Sequence, residues 1–242
     1  QDLCIRRFKK DVKDEAQGAF QERSFAIEYC PASPQEEKAF SIFADMQLHM
    51  DQSANMGSVL FKTGLEKALF SSPAACMDSI QNRLRKLEKR QEGDSHDAYQ
   101  LKYLLSALEE IDSDSFSRYV KLKDLLNSPA YGWSRQADDR VVIFTERIET
   151  KKYIAHHLRQ DLGLSAAAIV EMDGSLSDSE QQRIVEEFGR TDSPVRILVA
   201  SDVASEGINL HYQSHRLIHF DIPWSLMVFQ QRNGRIDRYG QT

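Results

Sequence analysis

The chain is poor in the features that mark several protein classes. It has three cysteines, Cys4, Cys30 and Cys76, odd in number and far apart. That spacing excludes a disulfide frame or a CxxC zinc site and fits reduced thiols in a cytoplasmic compartment. No apolar run approaches the roughly 18 residues of a membrane span, so no membrane partner is expected. The opening QDLCIRRFKK has no apolar core, which excludes a secretory leader, and it lacks an initiator Met, which points to a segment of a longer polypeptide. Basic residues do not prevail: 31 Lys and Arg stand against 37 Asp and Glu, for a formal net charge of −6. Contact with nucleic acid therefore has to come from a local patch. No glycine precedes a lysine, so the G-x-x-x-x-G-K-[ST] phosphate loop is absent. Asp14-Glu15-Ala16-Gln17 mimics a Walker B quartet but follows a charged stretch rather than an apolar strand.

The patterning that is present changes near residue 112. Before it, the periods are helical. EEKAFSIFADMQLHM places Phe40, Phe43, Ala44, Met46 and Met50 at helical spacing. SPAACMDSIQNRLRKLEKRQ opens on Ser-Pro, a helix entry. HDAYQLKYLLSALEEI sets Tyr99, Tyr103, Leu104, Leu108 and Ile111 on one side. After it, YVKLKDLL reads as a short helix, and strands alternate with helices: RVVIF, SAAAIVEM, VRILVAS and HRLIHFD are strands. Thr145 caps a helix that stops at Gly163. Ser177 and Glu180 have capping-box spacing ahead of a helix facing inward through Ile184 and Phe188, and SLMVFQQRN is a last helix stopped by Gly234. The expected fold class is α/β, a parallel sheet flanked by helices and preceded by a mainly helical segment.

Parallel topology gathers three loops at the carboxyl edge of the sheet. They are Thr145-Glu146-Arg147, Asp173-Gly174-Ser175 and SDVASEGIN from Ser201 to Asn209. The segment QQRNGRIDRYGQ follows the fourth strand, behind a buried-looking Asp221, and sets Arg232, Arg235 and Arg238 three residues apart. Hydroxyls, glycine-exposed amides and guanidinium forks converging on one edge suit phosphate. Each has a plainer reading beside it. Arginines can form a solvated turn, Thr145 and Ser177 are caps first, and Gly174 and Gly207 can be turn glycines. Trp224 can be core, and Arg6, Arg7, Lys9, Lys10 and the basic stretch 83–90 can be solvated faces. His211, His215 and His219 recur every fourth residue, but on a loop and strand that spacing does not converge on a metal.

SDVASEGINLH, HFDIPWSLMVFQQRNGRIDRYGQ and RVVIFTERIETKKYIAHHL resemble, in order and spacing, the second RecA-like lobe of superfamily 2 helicases. They look most like the SNF2 (Swi2/Snf2) branch and its bacterial RapA-like type. MDGSLSDSE is similar to the family segment between motifs IV and V, and IRRFKKDV resembles the stretch that closes the first lobe. Trp224-Ser225-Leu226 departs from the family's Trp-Asn-Pro, and Glu180-Gln181 from its Glu-Arg, with Arg183 nearby. The resemblance implies three parts: residues 1–34 trail from a first RecA-like lobe, 35–112 form a helical insertion or linker, and 113–242 are the second lobe. It implies a DNA-dependent ATPase acting as a translocase on double-stranded DNA, with ATP and Mg2+ held mainly by a first lobe of the same polypeptide. RNA polymerase or another DNA-bound protein is the implied further partner. Arg235 and Arg238 match the catalytic arginine fingers. Glu206, Gly207 and Gln231 match nucleotide-contacting positions. Thr145, Arg147, Gly174, Ser175, Ser201, Asn209 and Trp224 fall in segments that touch nucleic acid. No metal ligand is implied on this lobe, and the chain alone is expected not to hydrolyse ATP. The alternatives are a strand-separating superfamily 2 helicase and a non-catalytic docking module.

Overall fold

The computed structural model describes residues 24–48, 56–135, 139–201, 210 and 214–234. Its centre is built from two β-branched runs. Strand β1 (Arg140–Thr145) and strand β3 (Ile197–Ser201) are buried at every position, the pattern of strands covered on both faces. With β2 (Ile169–Met172) and β4 (Ser214–His219) they form a parallel sheet of order β2-β3-β1-β4. The expected strand from residue 165 is shorter than its apolar run, because Ala166–Ala168 take a 3-10 turn first.

Alternation along the strands assigns two faces. Val141 and Ile143 belong to one apolar cluster with Ile154, Ala155 and Leu158 of helix α6 (Ile148–Asp161). Val142 and Phe144 belong to another with Phe188 of helix α7 (Asp178–Gly189), against which Ile184 also packs. Crossovers from β1 to β2 and from β2 to β3 run in opposite directions along the sheet, so right-handed connections put α6 and α7 on opposite faces. The Ser177–Glu180 capping box is formed, and Gly163 ends α6 at φ 60°, a left-handed value that suits glycine.

The helical half comprises α1 (Pro34–Asp45), α2 (Met56–Ser71), α3 (Pro73–Lys89), α4 (His96–Glu109) and α5 (Ser117–Asn127). Ser33, Ser72 and Ser95 cap α1, α3 and α4 through their hydroxyls, with proline leading α1 and α3. Helix α1 stops at Asp45, five residues short of the periodic run, and Ala44 is exposed. Tyr99 and Tyr103 point outward, 67% and 60% exposed. At 100° per residue each lies about 200° from Leu101, and the buried stripe is Ala98, Leu101, Leu104, Ala107 and Leu108. α3 packs on α2, α4 and α6, and α1 packs on α4. The helices and the α6 face of the sheet share one apolar cluster running from Ala39 to Phe220. The change in sequence pattern near residue 112 therefore has no counterpart as a break in the core.

Arginines tie the layers. Arg140, fully buried, donates to the carbonyls of Glu187, Phe188 and Arg190 at the end of α7 and lies over the Phe188 ring. A cation there meets the negative end of the helix dipole. Arg118 does the same for α2, donating to the Phe70 carbonyl at 2.7 Å.

Candidate functional site

The parallel register aligns the strand ends. Thr145 stands beside Ser201, and Met172 beside Ala200. The carboxyl ends of β1, β2 and β3 thus lie along one edge, and Phe220 and Asp221 follow β4 at the same level, where the Phe220 amide bonds the Phe144 carbonyl. At this edge sits a buried polar hub. Asp221 is 8% exposed. Its Oδ2 accepts the hydroxyls of Thr145 and Ser71, each at 2.7 Å. Its Oδ1 accepts the Glu146 amide at 2.8 Å and lies 3.5 Å from Arg232 Nη2. Arg232 Nη1 donates to the Asp221 carbonyl at 2.8 Å. Thr150 meets the Ser71 and Ser72 hydroxyls at 2.8 and 2.6 Å. Burying a carboxylate is costly unless donors surround it, and this one draws four donors from three segments of the chain.

The loop after β2 is held by a second ionic cluster. Lys151 Nζ, from α6, lies 2.5 Å from Asp173 Oδ2 and 3.4 Å from Glu171 Oε2. The Ser175 amide donates to Asp173 Oδ1 at 2.8 Å, and its hydroxyl donates to the same oxygen. Burial works to raise the Asp173 carboxyl. The Lys151 ammonium and the two Ser175 donors outweigh it and bring the pKa down to about 2. Gly174 and Ser175 are exposed at the tip of this loop. The adjoining N-terminus of α7 is filled by its own capping box and carries Asp178 and Glu180, so that helix end offers no vacancy to an anion.

The expected site residues divide accordingly. Thr145 is the last residue of β1, fully buried, and its hydroxyl is committed to Asp221. It does not cap α6: the N-cap is Arg147, without a side-chain cap bond. Helix entry here is fixed instead by the Glu146 amide on Asp221. Arg147 is half-buried and reaches back to the Gly64 carbonyl at 3.1 Å. Ser201 is 1% exposed, its hydroxyl without a partner among the described residues. Trp224 is not core: it is 62% exposed, with Lys67 Nζ 5.3 Å from its ring centre. Ile222, Leu226 and Met227 are exposed around it. Gln231 is exposed on helix α8 (Leu226–Asn233), which Gly234 ends as expected. Arg232, on the same helix, is wholly buried, so the first of the three arginines is unavailable to phosphate. The expectations on Glu206, Gly207, Asn209, Arg235 and Arg238 lie outside the described residues. Ser71, Thr150 and Lys151 were not anticipated. They sit in ordinary helix-end and helix-face sequence, and only the apolar run before Asp221 signalled the hub.

The helicase conserved C-terminal domain family matches residues 117–240, just over half of the chain, and the chain belongs to it. A Bacillus subtilis protein named as the uncharacterized ATP-dependent helicase YqhH is 26% identical over 209 residues. Those residues are 86% of this chain and 33% of that protein, so the chain spans about a third of the relative's length. Three solved structures share the fold. The Pyrococcus furiosus Hef helicase domain matches with a TM-score of 0.59 at 17% identity, covering 95% of this chain and 55% of that one. The C-terminal part of the Fun30 ATPase domain matches with a TM-score of 0.54 at 15% identity, covering 92% and 83%. The Sulfolobus solfataricus SWI2/SNF2 ATPase core in complex with dsDNA matches with a TM-score of 0.52 at 21% identity, covering 88% and 37%. The fold is thus the RecA-like C-terminal lobe of helicase-like ATPases, with a helical segment at its N-terminal side.

Proposed function

We propose that this chain is the second lobe of an SNF2-type, RapA-like ATPase that translocates on double-stranded DNA. In this reading Arg235 and Arg238 reach ATP and Mg2+ bound on a first RecA-like lobe, and Gln231 with Glu206 and Gly207 lines the same cleft. The observation that carries it is the seat of α8. Arg232 is locked to Asp221 at the carboxyl edge of a parallel sheet, and the chain continues from α8 into G-R-x-x-R. The sequence suits one wall of a triphosphate pocket: it supplies Arg235 and Arg238 after α8 and the glycine of SDVASEGIN after β3, and it has no phosphate loop. ATP would supply the driving phosphoryl transfer there. The arginines would stabilise charge as it develops and arrive only when the lobes close, which ties hydrolysis to motion.

Gly174 and Ser175 are the exposed backbone-contact positions of the DNA track in this reading, with Trp224 and Lys67 at its border. RNA polymerase or another DNA-bound protein is the proposed further partner. The test is Arg235→Ala and Arg238→Ala in a polypeptide carrying both lobes. ATPase activity should fall by roughly 10³ or more, with ATP affinity nearly unchanged. Parallel loss of affinity would make the arginines ground-state contacts and sink the finger role.

A further inference from the structure

We infer that Asp221 is a positioning residue through which Ser71, in the helical segment, sets the seat of the arginine-bearing helix α8. The proposal rests on the preceding reading for what the arginines do, while the coupling itself stands on geometry.

Ser71 is the last residue of α2 and lies 150 positions before Asp221, yet its hydroxyl donates to Asp221 Oδ2 at 2.7 Å. Thr145 donates to the same oxygen, and Glu146 donates to the other. The carboxylate therefore sits where the α2–α3 junction, the end of β1 and the start of α6 together place it. Arg232 is held from the same residue, by its main-chain carbonyl and its carboxylate. Both partners are buried, Asp221 at 8% exposed and Arg232 at 0%. Water therefore cannot replace a lost donor cheaply. Removing one donor lets the Asp221 segment relax, and Arg232 follows it. Arg232 occupies the last turn of α8, three residues before Arg235. A displacement of about 1 Å in a group that meets a transition state can cost on the order of 10²-fold in rate. Among the described residues Ser71 makes no bond to α8, and its hydrogen-bonded link to that helix runs through Asp221.

Hydrogen exchange on the 242-residue chain reads the coupling directly. In Ser71→Ala the amides of Leu226–Asn233 should exchange about tenfold faster, the factor for one lost hydrogen bond to a charged acceptor. Amides of β1 and β3 should change much less. Unchanged protection in α8, or an equal acceleration of α8 and the central strands, overturns the proposal. A second pair guards against a folding defect: Thr145→Val removes the other hydroxyl at constant shape, and Thr145→Ser restores it. Protection of α8 must fall in the first and return in the second; loss in both overturns the proposal. In a two-lobe polypeptide, Ser71→Ala should then lower kcat with KM for ATP unchanged. Loosened α8 with unaltered kcat would leave the coupling standing and remove the arginine reading.

Discussion

Substituting Lys151 by Met should expose how much the loop after β2 depends on one buried ion pair. Lys151 is 4% exposed and Asp173 5%, and their charged atoms are 2.5 Å apart. Met keeps the apolar stem among the residues of α6 and removes the ammonium. Removing one partner of a buried pair costs about 3–5 kcal/mol. Asp173 keeps the amide and hydroxyl of Ser175, and Glu171 keeps Arg159 at 3.0 Å. The expected loss is therefore lower, about 2–3 kcal/mol. For a chain of this size that is a fall in Tm of roughly 5–10 °C.

The pH dependence separates a lost ion pair from lost packing. In the folded chain the Asp173 carboxyl sits at about 2, below its ordinary 3.8. A depressed carboxyl contributes stability that is present above the unfolded pKa and lost as pH falls through the folded one. The Asp173 contribution, at most about 2.5 kcal/mol, is complete near pH 5 and is lost progressively as the pH falls from 4 to below 2. The gap between wild type and Lys151→Met should accordingly be full at pH 7 and reduced to about half at pH 3. Urea unfolding at both pH values, followed by circular dichroism, measures it. An equal gap at pH 7 and pH 3, or a loss below about 1 kcal/mol at pH 7, would refute the reasoning. Adding Asp173→Asn to Lys151→Met should recover more than half of the loss, because a neutral amide still accepts from Ser175.

Arg140→Met should destabilise the chain by about 2–3 kcal/mol, since three carbonyls at the end of α7 lose their donor together. Hydrogen exchange should show the last turn of α7 fraying first, and uniform loosening would contradict the capping role. The Cys76 thiol, fully buried and raised by burial to about 12, should resist iodoacetamide at pH 8 until the chain is unfolded. Native-state labelling at the rate of a free thiol, read by mass spectrometry, would contradict that placement.

Periodic sequence showed itself well where one physical demand dominated. RVVIF and VRILVAS are β-branched and buried on both faces, and they are the central strands. The capping box at Ser177 needs only local contacts and was legible from four residues. Helix α2 was not legible. Its run GSVLFKTGLEKALF carries Gly64 in the middle and lacks a polar face regular enough to stand out, and tertiary packing on α3 decides the helix instead. Tyr99 and Tyr103 followed the right period on the wrong face, because apolar bulk says which residues could be inside and leucines with alanines fitted the contact with α1 and α3 better. Thr145 was misplaced for a different reason. A threonine before a helix has cap chemistry, but its hydroxyl was drawn to a carboxylate 76 positions away, and no local rule contains that distance.

The arginines make the same point about function. Three of them at equal spacing in QQRNGRIDR look alike as sequence, yet the first is consumed by the fold. Arg140, Arg118, Arg216 and Arg159 are likewise spent on carbonyls and carboxylates, and Arg147 has turned one arm to Gly64. A guanidinium already satisfied inside a protein gains little from a phosphate, because it must first give up those bonds. The number of basic residues therefore overstates the charge the chain can offer to an anion, in keeping with its formal −6. An arginine proposed to meet phosphate needs an anchor nearby that is not itself. Arg232 and Asp221 form such an anchor at the sheet edge, which is why Arg235 and Arg238 carry the proposal and Arg232 does not.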